Sequence, residues 1–152
     1  MKFSNQDRAL LEALQSDASL SLADLAERSG MGTSTVWRKV QEFKKAGLIR
    51  GRVALLDPRL AGAKLCVFAQ VSLKDHSEEA VTQFAALVAR HPEIMEAHAL
   101  TGTSDYILKI RCADVEEYEH FMSRHLLRAS HVGSVVSSFS LREIKYTTQL
   151  PL

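Results

Sequence analysis

Residues 21–47 read SLADLAERSGMGTSTVWRKVQEFKKAG, and this run decides the fold of the first third of the chain. Ser21 and Asp24 make a Ser-x-x-Asp capping pattern, with Leu22, Leu25 and Ala26 behind it. Gly30 stands where a left-handed residue stops a helix, so the first segment is a helix of about two turns. After the interval SGMG, a second periodic segment begins near Thr33, with Val36, Val40 and Phe43 on one face and Gly47 as its stop. Two helices joined by a tight, glycine-containing turn form a helix-turn-helix.

Working toward the N-terminus, Ser4 and Asp7 repeat the capping pattern, and Leu10, Leu11 and Leu14 share one face, which predicts a helix over residues 5–16. Working toward the C-terminus, LIRGRVALLDP holds two short β-prone runs, residues 48–50 and 52–56, around Gly51. They read as a small wing closed by Asp57-Pro58, with a hinge over residues 57–63.

From Leu65 the period changes. CVFAQVSL, EEAVTQFAALV and EIMEAHAL read as strand, helix and strand, and YILKIRC, EEYEHFMSRHL and VGSVVSSFSL repeat the order. Joined through residues 101–105, the two repeats make a βαββαβ ferredoxin-like domain. Asp114 and Glu117 occupy cap positions ahead of Tyr118, Phe121, Met122 and Leu126. Both helices are expected on one sheet face; the other carries the mixed set Cys66, Phe68, Gln70 and Ser72, a face suited to a partner subunit. The expected fold class is α+β: a winged helix-turn-helix over residues 1–56, the hinge, and a ferredoxin-like domain over residues 64–152. A length of 152 residues suits two such small domains, and modest cores favour assembly.

The net charge of +1 is a misleading average. Residues 1–63 carry ten basic against seven acidic side chains, the remainder nine against eleven, and residues 38–52 alone six against one. Such a patch supplies phosphate contacts. With Val36, Val40 and Phe43 inward, Ser34, Arg38, Gln41 and Lys45 face outward, flanked by Thr35 and Trp37. Arg reads guanine and Gln reads adenine bidentately, while Ser and Thr at a helix start hold phosphate. A plain solvated helix has a similar composition; the tight turn before it and the basic segment after it favour double-stranded DNA, with Ser34, Thr35, Trp37, Arg38, Gln41, Lys44, Lys45, Arg50 and Arg52 as contacts. Trp37 reads as partly buried.

Other chemistries lack their residues. The six histidines are scattered without helical zinc spacing, and no phosphate-cradling glycine loop or nucleophile elbow stands out, so neither enzyme, cofactor nor metal is expected. Cys66 and Cys112 read as buried free thiols. No apolar run reaches the length of a membrane span, and the polar N-terminus predicts a cytoplasmic protein. An RNA-recognition sheet needs stacking aromatics on the strand YILKIRC, and they are missing after Tyr106. The loop Thr101, Gly102, Thr103, Ser104, Asp105 and Tyr106 offers backbone N–H groups for an amino-acid carboxylate and Asp105 for its ammonium. On spacing alone, a hydrogen-bonded turn with Asp105 capping its own backbone is the preferred reading.

Three blocks, LADLAERSGMGTSTVWRKVQEFKKAGLIRGRVALLDP, LTGTSDYILKI and SSFSLREIKYTTQLPL, resemble in order and spacing the Lrp/AsnC family of transcription regulators. The resemblance implies that the helix over residues 33–45 reads the major groove. It also implies that residues 101–106 help form an amino-acid effector site between dimers, and that homodimers assemble, often into octamers. Two departures stand out: Gly32 where the family commonly has Ser, and Thr103-Ser104 in place of an acidic-aromatic pair. The reading is therefore a DNA-binding regulator of amino-acid metabolism, with an effector-independent DNA architectural protein as the alternative.

Overall fold

The computed structural model describes residues 2–152. Local capping builds its helical part. In helix α1 (Asn5–Ser16) and helix α2 (Leu22–Ser29), the Ser4 and Ser21 hydroxyls accept from the N–H groups of Asp7 and Asp24, whose carboxylates accept from the cap N–H groups in return. Each reciprocal pair satisfies two otherwise orphaned donors. Gly30, at φ 65°, ends α2 with Gly30 N–H donating to Glu27 and Met31 N–H to Ala26. Only glycine takes that conformation without a Cβ penalty, and Gln6 Nε2 donates to the Gly30 carbonyl at 2.7 Å, fastening the turn to α1. Helix α3 (Thr33–Lys45) starts at Gly32, which gives no side-chain cap. The same paired bonds end it, Gly47 to Lys44 and Leu48 to Phe43.

These helices bury Leu10, Leu25 and Val36 almost completely, with Leu11, Val40 and Phe43 around them and Phe3 edge-on to Phe43. Asp7 is also buried, and Lys39 Nζ reaches it at 3.1 Å, tying α1 to α3. Burial pushes the Asp7 carboxyl up, but the Lys39 ammonium and the Ser4 donors outweigh that and hold it below its ordinary value.

Two expectations for this part need correction. Residues 48–56 form no β ladder, so the segment after α3 is an extended wing rather than two paired strands. Leu48 and Ile49 are committed to the Phe43 carbonyl at the end of α3, and Val53, Leu55 and Leu56 are exposed with no surface to pack on. An isolated two-stranded hairpin without a buried face is marginal. The second correction concerns the tail: the two compact units are residues through Ala54 together with Ile144–Leu152, and Leu55–Glu143. The last nine residues therefore join the helical unit rather than the αβ unit. Gln15 grips the tail backbone twice, its amide donating to the Leu150 carbonyl at 3.2 Å and accepting from the Leu150 N–H at 2.7 Å, and Leu152 packs on the helical core. Residues 57–63 form a closed turn, with Asp57 accepting from Arg59 N–H at 2.7 Å and Ala63 N–H donating to Pro58.

The αβ unit runs β1 (Leu65–Leu73), α4 (Glu78–Arg90), β2 (Ile94–Ala99), β3 (Tyr106–Cys112), α5 (Val115–Phe121) and β4 (Val132–Phe139). Its antiparallel sheet has the order β2-β3-β1-β4, the ferredoxin-like arrangement. Alternation places Val67, Ala69, Val71 and Leu73 on the helix side, opposite Leu108 and Ile110 of β3, and Phe84, Tyr118 and Phe121 complete the core. The far face is mixed, as the alternation predicts. Phe68 pairs in register with Lys109 and Ser138, and Gln70 with Ile107 and Val136. The second helix departs from expectation, because α5 gives way to a π-helical turn (Met122–Leu126) closed by Leu127 N–H on Met122. The wider turn brings Leu126, fully buried, back to the core side below Phe121. Both cysteines are free and buried, and burial pushes the Cys112 thiol up to about 11, leaving it protonated and inert at neutral pH.

Candidate functional site

The outward stripe of α3 is a consequence of its inward one. Because Val36, Val40 and Phe43 are buried, Ser34, Arg38, Gln41 and Lys45 stand exposed along the opposite side, with Lys44 exposed at the flank and Thr35 half-buried. Arg50 and Arg52 are exposed beyond the helix end. The structure thus brings the expected contact residues of α3 onto one continuous surface. Trp37 departs from the expected partial burial: it is 56% exposed, since one residue on from buried Val36 turns its side chain about 100° away from the inward stripe. Its ring is free to lie along a sugar-phosphate backbone.

Two charges in the basic segment are already engaged. Arg38 Nη1 lies 3.5 Å from Glu42, an exposed one-turn pair of the kind worth about 0.2–0.5 kcal/mol, which a DNA contact easily replaces. Lys39 faces inward to Asp7 and lies over the Phe43 ring at 5.8 Å. Its charge ties α3 to α1 and is set apart from the exposed stripe.

In the loop after β2, Gly102 takes φ 136°, a region closed to side chains, and Leu100 N–H closes the loop on the Asp105 carbonyl at 2.8 Å. Thr101, Gly102 and Thr103 are exposed, Ser104 donates to Gln70 Oε1 at 3.2 Å, and Tyr106 stacks obliquely on Phe84 with ring centres 4.5 Å apart. Asp105 does not cap its own turn. One carboxylate oxygen accepts from Leu73 N–H at 2.7 Å, at the end of β1, and the other meets His76 Nε2 at 2.7 Å. Sequence reasoning missed His76 and Gln70, because nothing in local spacing relates residues about thirty positions apart before the sheet is built.

The pair perturbs both partners. The His76 hydrogen bond, with the Leu73 N–H, holds the Asp105 carboxyl below its ordinary value, and Asp105 in turn raises the His76 imidazole above its own. A raised histidine stabilises the folded loop fully below its unfolded pKa of about 6.5, and that contribution disappears as pH rises through the higher folded value. Following the His76 ring protons by NMR is expected to give a midpoint above that of an unstructured histidine, with Asp105→Asn returning it toward the ordinary value. An identical midpoint in both proteins would contradict the pairing.

An exposed, basic-edged helix set by a tight turn, followed by an αβ unit with an open polar loop, defines a two-unit DNA-binding regulator with a ligand-binding domain. Residues 3–50 match the family described as winged helix-turn-helix DNA-binding, and residues 66–150 the Lrp/AsnC ligand binding domain. The chain belongs to the Lrp/AsnC family of transcription regulators, which are not enzymes. It is 36% identical over 146 residues to the DNA-binding transcriptional activator DecR of Escherichia coli (strain K12), covering 96% of each chain. It is 33% identical to the glutamate uptake regulatory protein of Zymomonas mobilis, covering 99% of this chain and 92% of that one. A transcriptional regulator from Neisseria meningitidis, solved in complex with L-Met, superimposes with a TM-score of 0.94 at 35% identity, covering 99% and 97% of the two chains. Among the described residues no helix is long and apolar enough to cross a membrane.

Proposed function

We propose that this protein is a cytoplasmic regulator of amino-acid metabolism whose α3 helices, paired in a homodimer, read a pseudo-palindromic DNA site with half-sites one helical turn, or a multiple, apart. The observation that carries this reading is the exposed stripe of Ser34, Arg38, Gln41 and Lys45, with Lys44 on its flank, on a helix fixed from behind by Asp7 and Lys39. Ser34, Thr35, Trp37, Arg50 and Arg52 flank the stripe as backbone contacts. The mixed outer sheet face serves the dimer, and dimers assemble further, to an octamer. The loop Thr101–Tyr106 receives a small amino acid; the L-Met complex of the Neisseria meningitidis regulator supports that ligand class.

One observation favours a second reading, a DNA architectural protein without an effector: both Asp105 oxygens are already engaged, which leaves no idle carboxylate for a ligand ammonium. Thermal unfolding against the standard amino acids separates the two. A ligand present at roughly 100 times its Kd stabilises the native protein by about 2.7 kcal/mol, and the sensing reading expects such a shift with at least one amino acid. No shift across the panel, with DNA binding intact, would select the architectural protein.

A further inference from the structure

Although the αβ unit has more acidic than basic side chains, one part of its surface is strongly basic. The C-terminal half of α4 and the segment from the π turn to the start of β4 face each other across a cleft of about 640 Å³. Arg90, His91, Arg124, His125, Arg128 and His131 line it, and no Asp or Glu does. Among the described residues none of the three arginines forms an ion pair. The His91 and His125 rings stack obliquely, centres 4.3 Å apart, and both ring nitrogens of His131 are buried without a hydrogen-bond partner.

Helix dipoles explain part of this. Arg90, Arg124 and His125 sit in last turns, where cations are favoured. Arg128 and His131 lie beyond the last helical turn, and the dipole gives no reason for them to converge on the same cleft. Arg90 Nε donates to the Ala86 carbonyl at 3.2 Å, which leaves its two terminal amino groups, with the Arg124 and Arg128 guanidinium groups, without a counter-charge; an anion between them would relieve their mutual repulsion, and their planar donor forks match phosphate oxygens. The unsatisfied His131 nitrogens supply further hydrogen-bonding capacity at the cleft wall. The volume falls in the range of small-molecule sites.

We propose that this cleft binds a small molecule carrying two or more linked phosphate groups, at a place separate from both the α3 surface and the loop at residues 101–106. Three guanidinium groups gathered around one short groove, with no carboxylate lining it, suit the closely spaced charges of a small linked phosphate better than the extended backbone of DNA.

Calorimetric titration of the full chain with pyrophosphate, at fixed ionic strength, tests the proposal. Saturable binding is expected, weakened about tenfold or more in the exposed double variant Arg124→Ser/Arg128→Ser and unchanged in Lys44→Ser/Lys45→Ser, with thermal unfolding confirming that both variants fold. Inorganic phosphate is expected to bind more weakly than pyrophosphate. Absence of saturable pyrophosphate binding, equal affinity in the Arg124/Arg128 variant, or loss in the Lys44/Lys45 variant would overturn the proposal. So would a fall in DNA affinity in the Arg124/Arg128 variant without pyrophosphate binding by the wild type, which would assign the surface to DNA.

Discussion

Arg38→Ala is expected to weaken binding to the specific DNA site by about 1–3 kcal/mol, roughly 5- to 150-fold, while oligomer size and thermal stability stay the same. The magnitude follows from the loss of a bidentate base contact, and the harmlessness to the fold follows from the exposed position of Arg38, whose one partner among the described residues is Glu42 at 3.5 Å. Replacing Lys44, Lys45 or Arg50 has a different signature. Those residues contact phosphate in this account, so each alanine variant lowers affinity for all sequences alike and reduces the slope of log affinity against log salt by about 0.9. Gel-shift titrations over a salt series distinguish the two classes. Unaltered affinity in Arg38→Ala, or an unaltered salt slope in all three of the others, would remove α3 from the interface.

Leu10→Ala is expected to cost about 2–5 kcal/mol, because Leu10 is completely buried where α1, α2 and α3 meet and its removal leaves a cavity. For a helical unit of this size that is comparable to the whole stability, so the unit should be largely unfolded near physiological temperature and DNA binding should fail with it. The αβ unit has its own core around Val67, Leu108 and Ile110, and its unfolding transition is expected to stay in place. Denaturant unfolding followed by Trp37 fluorescence for the helical unit, and by Tyr118 or far-UV signals for the αβ unit, checks this. A Leu10→Ala protein that melts like the wild type would contradict the packing.

What was legible in the sequence was what is local. Ser4 with Asp7, Ser21 with Asp24, and Asp114 with Glu117 each set a helix start through bonds within three residues, and Gly30 marks a stop by its own backbone freedom. Alternation in β1 fixed which residues face the helices. What depends on distant parts of the chain was hidden. The tail joins the helical unit through Gln15, 135 positions away, and Asp105 finds Leu73 and His76 only once β1 and β3 are paired. β propensity at residues 48–56 suggested paired strands in the wing, but propensity does not pair them when the segment has no face to bury. On α3, the inward stripe located the exposed residues, yet a charge count over residues 38–52 included Lys39, which a buried Asp7 turns inward.

The central claim is that α3 reads base sequence, and selection of bound DNA from a random pool by the wild type and by Arg38→Ala tests it most directly. The account predicts a pseudo-palindromic wild-type consensus with half-sites one helical turn or a multiple apart, and in the variant the loss of preference at one position in each half-site. The same consensus from both proteins would contradict it.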